Sequence, residues 1–518
     1  MQCENPIMPG FYPDPSICRV GESYYMIHSS FNYFPGIPVF CSKNLGQWKQ
    51  IGNALDRPSQ ISLLGCNESQ GIYAPTIRCH DGVFYIITTM VNERGSGSFI
   101  ITAEDPAGPW SDPHELESAK GIDPSLFFDD DGSCWYVGQR ARDNQTYFGD
   151  CVIWLQRLDL DRYCLIGKEY ILADGFQKNA VWPEGPHLYK KNGYYYLLHA
   201  EGGTEENHCI VVARSRRIEG PYEYARYNPI LTHRHLGKNA LVSCVGHGDM
   251  VEDKEGNWYM VVLGCRQEKG YTLKGRETFL AKVSWEEDWP VVNPGKGALE
   301  TRIKLPGKEE REVVGENFWD FKKKELPMCF MTLRGPAEGC ISFGGERGCL
   351  RMKTSPDTLK DLGNPVYAGV RLKYRACTAE TELTACDFGE IEGAGLALYQ
   401  NNRAHIRLEV NIAKENNLVK VINCQNGEER ILKETDTGER GRIGLRMKIT
   451  GLYCDFCWKS PKGGWHMLLQ GAELYHLSTE KAGGFTGCTV GMFASSNRKP
   501  GHGYGEFSFF AVRVIHEL

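Results

Sequence analysis

The sequence predicts an all-β protein, a five-bladed β-propeller over residues 1–300 joined by a linker over 301–315 to a β-sandwich over 316–518. Three observations carry this prediction. A polar or glycine turn followed by an aromatic, apolar strand occurs five times, with its glycine at 21, 82, 132, 193 and 256, a repeat of 50 to 63 residues. Hairpin repeats of that length are the signature of propeller blades. The last 200 or so residues read as alternating strands broken by Gly- and Asn-containing turns, and apolar spacing at i, i+3, i+4 is nearly absent throughout.

The blade openings are Gly21-Glu22-Ser23-Tyr24-Tyr25, Asp81-Gly82-Val83-Phe84-Tyr85, Asp131-Gly132-Ser133-Cys134-Trp135-Tyr136, Asn192-Gly193-Tyr194-Tyr195-Tyr196 and Glu255-Gly256-Asn257-Trp258-Tyr259. A second signal, Gly108-Pro109-Trp110 and Gly220-Pro221-Tyr222, each after an apolar strand, predicts the turn from third to fourth strand in two blades. Ser42–Trp48 is a looser third copy. Lysine, glycine and proline enrichment from Pro290 to Glu316 marks the linker. Beyond it, ten strands are expected: Cys349–Lys353, Val366–Tyr374, Gly395–Tyr399, His405–Val410, Val419–Asn423, Ile443–Ile449, Tyr453–Trp458, Trp465–Leu469, Thr489–Phe493 and Glu506–Val514. Such a run builds a sandwich.

A length of 518 residues exceeds what one core supports. A net charge of −6 with interspersed signs favours neither nucleic acid nor an anionic membrane as partner. No apolar run is long enough for a spanning helix, and Met1–Pro6 lacks the basic start and apolar core of a secretory signal. The 20 cysteines are scattered as free thiols of a reducing cytoplasm would be, so a cytoplasmic location is expected. The single Cys-x-x-Cys, Cys454 to Cys457, would point its sulfurs to opposite faces of a strand.

The chemistry sits seven to nine residues before the repeat glycines: Asp14, Asp123, Glu184 and His247. Near-equivalent places on innermost strands converge on one channel. Glycoside hydrolysis needs two carboxyl groups flanking one bond, one protonated and one ionised. Trp182 and Pro183 supply an apolar wall beside Glu184, and Asp123 supplies a like charge, both of which raise a carboxyl pKa. Asp14 and Asp123 share the words Asp-Pro-Ser; alone, each reads as a strand-entry turn, and their common register with Glu184 and His247 favours a site. Glu201, at the end of a strand, is a rival for the acid. Asp129-Asp130-Asp131-Gly132 has the look of a calcium loop but falls where a hairpin turn belongs. His247 reads as a buried structural histidine, a sugar contact or a cation ligand. Arg276 reads as a surface arginine or as one that holds an acid ionised.

These motifs, together with Ser29–Gly36, Gly71–Arg78, Pro183–Tyr189, Ala200–Thr204, Gly246-His247 and Gly275–Thr278, resemble glycoside hydrolase family 43 over essentially the whole chain. The resemblance extends to the two-domain β-xylosidase and α-L-arabinofuranosidase branch, whose second domain is a concanavalin A-like β-sandwich. It implies inversion, with Asp14 as general base, Glu184 as general acid and Asp123 tuning Glu184. Phe31, Tyr73, Thr204, His247 and Arg276 match pocket positions; Tyr73 stands where tryptophan is frequent. Phe485, in Gly483–Gly487, matches a sandwich aromatic that caps the pocket. No cofactor is required, although a calcium or sodium ion near His247 is compatible with the resemblance.

The expectation is a cytoplasmic exo-acting β-1,4-xylosidase on short oligosaccharides, with α-L-arabinofuranosidase or dual activity as the alternative. A homo-oligomer is compatible with the sequence. An inactive carbohydrate-binding propeller is the rival of a different class, disfavoured because all three acids are present.

Overall fold

The five repeat glycines have φ of 57°, 81°, 79°, 73° and 83° in chain order, the left-handed conformation that tight hairpin turns demand and glycine adopts without strain. Each therefore turns an innermost strand into its neighbour, and five antiparallel sheets follow. In the computed structural model, which describes residues 1–515 except 238, 307–316, 345–347, 388–391, 414–415 and 462, every blade is built from strands in chain order. Their innermost strands are Ser16–Val20, Gly71–His80, Ile122–Phe128, Glu184–Lys191 and Val242–Glu252. The Gly-Pro-aromatic turns lie where expected, between third and fourth strands of blades two and four.

Among the described residues no strand is shared between propeller blades. Instead, five apolar cores lie between neighbouring blades: Ile77 and Ile86 pack with Val39, Trp154 with Ile100, Leu188 with Ile153, and Val212 with Met260. The last joint closes the ring by setting Met26 of blade one against Val261 and Leu280 of blade five. Each fully buried side chain of this size contributes about 1.5–3 kcal/mol relative to exposure. The N-terminal segment reinforces that joint. Asn5 acts as a surrogate strand residue, its amide donating to Leu280 O at 2.9 Å and accepting from Leu280 N at 3.0 Å. Gln2–Glu4 pairs antiparallel with Arg302–Lys304, so the beginning and end of the ring are clasped together.

Arg302–Lys304 was expected in the linker and is a strand; residues 307–315 of that linker lie outside the described residues. The sandwich has an eight-stranded and a six-stranded sheet, with Leu396, Ile406, Met447 and Phe507 among the side chains between them. All ten expected strands occur; Asn317–Trp319, Thr332–Leu333, Ile341–Gly344, Ala376–Asp387 and Glu428–Asp436 are additional. Among the described residues the only α-helix is Thr479–Ala482, and no helix is long and apolar enough to cross a membrane.

The two domains share backbone and core. Tyr33–Phe34 of blade one pairs with Thr332–Leu333 of the second domain. Phe11, Phe31 and Tyr33 pack with Leu333, Tyr367 and Phe493 in one apolar cluster, and Arg371 Nε donates to Phe11 O at 2.7 Å. This joint lies beside the channel mouth, which brings a sandwich loop over it.

Candidate active site

The innermost strands begin irregularly. Pairing with the second strand slips between Tyr73 and Thr76, Ile122 and Ser125, Glu184 and His187, and again around His247. Such bulges re-aim a side chain that a regular strand would place on a sheet face. Asp14, Asp123 and His247 have φ of 52°, 53° and 48°. A non-glycine residue held there costs about 1–3 kcal/mol and persists only where its surroundings fix it. Here the surroundings are each other. Gly246 makes room as well: a Cβ on it would lie 2.3 Å from the His208 ring.

Asp14 is buried and fully engaged. Ser29 Oγ donates to Oδ2 at 2.6 Å and Arg276 Nη1 to Oδ1 at 3.1 Å, with His247 Nδ1 4.0 Å away. Burial pushes its pKa up, but Arg276, His247 and Ser29 outweigh that and hold it below the ordinary carboxylate value. Asp123 accepts from Gly185 N at 3.2 Å and lies 3.9 Å from His247 Nδ1. Burial raises it to about 6; His247 opposes the rise and Asp14 adds to it. Glu184 receives no hydrogen bond to its carboxyl among the described residues. Burial, then the charges of Asp123 and Asp14, push its pKa well above the ordinary glutamate value. One carboxyl is thus biased towards the ionised form and another towards the protonated form in a single pocket, the split that acid–base chemistry on one bond requires.

The pocket walls are aromatic. Phe31, Tyr73 and Phe485 meet with ring centroids 5.6–6.0 Å apart, and the Arg276 guanidinium lies 5.6 Å from the Phe31 ring and 5.3 Å from the Phe485 ring. Phe485 comes from the sandwich and is held through its backbone, its N–H donating to Glu68 O at 3.2 Å and its carbonyl accepting from Arg276 Nη2 at 3.3 Å. Tyr73 fixes its hydroxyl on Ser69 O.

Thr204 is half-buried in the bend after Tyr194–Glu201 and makes no hydrogen bond to the carboxylates or to Arg276. Glu201 is fully buried, but its carboxylate accepts from Phe176 N at 2.9 Å, Gln177 N at 3.3 Å and Gln177 Nε2 at 3.0 Å. It anchors a loop, and its oxygens are not free to donate a proton to substrate. Asp129-Asp130-Asp131 forms a hairpin turn in which Asp129 accepts from Lys190 and Tyr195. Ser29, which grips Asp14 and opens the Ser29–Gly36 segment, and buried His208 were not singled out as site residues in the sequence.

A calcium or sodium ion near His247 would need free oxygens. Both Asp14 oxygens are taken, and deeper in the channel Arg78 already supplies a positive charge between Asp249 and His187. Asp123 Oδ1 and the Glu184 carboxyl accept no hydrogen bond among the described residues, but with Arg276 and Arg78 already supplying the positive charge they fall short of the about six to eight oxygens a calcium cage takes.

Residues 3–290 match the model of glycosyl hydrolases family 43, and residues 319–513 match the beta xylosidase C-terminal concanavalin A-like domain. The chain belongs to glycosyl hydrolase family 43. It is a glycosidase acting on O-glycosyl bonds of a carbohydrate. Among similar proteins, a xylosidase/arabinosidase of Butyrivibrio fibrisolvens is 45% identical over 99% of both chains. A non-reducing end alpha-L-arabinofuranosidase of Bacteroides ovatus is 36% identical over 99% of this chain and 94% of its own. The crystal structure of a xylan beta-1,4-xylosidase from Bacillus halodurans superposes with a TM-score of 0.92 at 32% identity, covering 99% of this chain and 100% of that one.

Proposed function

We propose that this family 43 enzyme is an inverting exo-β-1,4-xylosidase that also accepts α-L-arabinofuranosides. The observation that carries the reading is one pocket, finished by Phe485, in which Asp14 is bonded by Arg276 and Ser29 while Glu184 is buried with no hydrogen bond to its carboxyl among the described residues. Asp14, ionised under Arg276, takes a proton from water as that water attacks the anomeric carbon. Glu184, kept protonated by burial and by two neighbouring anions, gives its proton to the departing glycosidic oxygen. Asp123 keeps Glu184 protonated, and its share of the pocket charge is moderated by His247. Relatives described as xylosidase/arabinosidase and as arabinofuranosidase support the second activity.

Side-by-side assays on nitrophenyl β-xyloside and nitrophenyl α-arabinofuranoside test the substrate assignment; turnover of neither removes it. Inversion requires about 6.5–9.5 Å between acid and base carboxyls, leaving room for the water. Proton NMR of the first product from a β-xyloside should therefore show the α-anomer, and a β-anomer would instead mean a covalent intermediate.

A wall contributed by the second domain limits the pocket to the terminal sugar. Phe485→Ala should leave folding intact and cost about 1–1.5 kcal/mol of sugar contact, roughly tenfold in kcat/KM. Wild-type kinetics on xylobiose by the folded variant would remove Phe485 from the site.

A further inference from the structure

One layer below the pocket, buried polar side chains from four of the five blades meet. Asp249 of blade five is fully buried. Its Oδ2 accepts from Ser16 Oγ at 2.8 Å and Ile17 N at 3.0 Å in blade one. Arg78 of blade two grips it with both terminal nitrogens, Nη1 to Oδ2 at 2.9 Å and Nη2 to Oδ1 at 3.1 Å. Tyr189 of blade four donates to Oδ1 at 2.6 Å, and Arg78 Nη2 also reaches His187 Nδ1 of that blade at 3.0 Å. Blade three joins the layer through Ser125 Oγ, which donates to Pro186 O at 2.6 Å.

The anchor points are not arbitrary. Ser16 opens the innermost strand that follows Asp14 by two residues, and His187 lies three residues after Glu184 on one innermost strand. One continuous bonded route from the strand of the base to the strand of the acid runs from Ser16 through Asp249 and Arg78 to His187. Its middle is a bidentate ion pair, the most direction-specific contact available to these side chains. The pair is largely desolvated, so loss of one partner leaves an uncompensated charge beside the pocket.

Resting on the proposed roles of Asp14 and Glu184, we propose that Arg78 and Asp249 are positioning residues that set the separation of base and acid and keep the channel floor electrically neutral. A spacing device is sensitive to its length: a misplacement of about 1 Å costs on the order of 100-fold in rate. It is also sensitive to charge. Glu184 is faced by Asp123, Asp14 and Arg276; Arg78 and His187 are faced by Asp249, Tyr189, Cys18 and His247. A net charge on the floor is therefore felt by the acid.

The test uses the full-length enzyme and nitrophenyl β-xyloside, or the α-arabinofuranoside if only that is turned over. Asp249→Glu adds one methylene to the bridge. It should lower kcat about 100-fold while KM and inhibition by the free sugar change less than about threefold, because the sugar contacts are untouched. Asp249→Asn leaves Arg78 unbalanced and should move the alkaline limb of kcat/KM to lower pH. Arg78→Gln leaves Asp249 unbalanced and should move the limb to higher pH. The neutral double variant R78Q/D249N should return the limb towards wild type, a reversal that a purely structural role would not produce. Glu184→Gln separates this from the acid assignment, since a limb that survives it counts against Glu184 and not against the bridge. A folded Asp249→Glu enzyme with wild-type kcat, or neutral variants whose limbs do not move in opposite directions, would overturn the proposal. So would failure of all four variants to fold, which would make the bridge a determinant of the fold alone.

Discussion

Replacing Glu184 by alanine is expected to slow xylobiose hydrolysis by about 10³-fold, within the 10²–10⁴ range of general acid catalysis, while nitrophenyl xyloside loses far less. Xylose is a poor leaving group and needs the proton; nitrophenolate leaves without it. The variant should also lose the alkaline limb of the pH profile on nitrophenyl xyloside. In the wild type that limb follows Glu184: its raised pKa keeps the proton through neutrality, and activity falls as pH rises through that pKa. Equal losses on both substrates would require another acid. Glu201 is poorly placed for that role because both of its carboxylate oxygens already accept hydrogen bonds from Phe176 and Gln177.

Asp14→Asn should be the more damaging change, costing about 10³–10⁴-fold on both substrates alike, because every turnover needs an activated water. The amide cannot take a proton, yet it can still accept from Ser29, so the pocket should keep its shape. Arg276 would lose its anionic partner at 3.1 Å, so binding of the free sugar provides the control. Retained sugar binding with lost turnover assigns the defect to chemistry. Substantial residual activity on either substrate would remove Asp14 as the base.

Much of this was legible because blade geometry imposes local chemistry. Left-handed hairpin turns select glycine, so Gly21, Gly82, Gly132, Gly193 and Gly256 announce the blades, and counting back from most of them reaches the carboxylates and His247. The bulges were not legible: Asp14, Asp123 and His247 adopt positive φ through tertiary contacts, which no spacing reports. Nor was the Arg78–Asp249 bridge, whose partners are 171 residues apart in sequence. In the sandwich, the missed strand Ala376–Asp387 mixes alanine, cysteine, threonine and glutamate around a single leucine, too little apolar alternation to read, although it pairs on both sides. Glu428–Asp436 is mostly exposed and charged at the rim of its sheet, so burial left little apolar pattern to read.

The clasp of Gln2–Glu4 on Arg302–Lys304 has a consequence for biosynthesis. Early blades can form hairpins as they leave the ribosome, because their pairings are local. The ring, however, cannot be fastened until residue 304 has emerged, and the aromatic lid at Phe485 arrives almost two hundred residues later still. Asp14 thus emerges 262 residues before Arg276, the cation that holds it ionised, and the aromatic wall of its pocket follows later still.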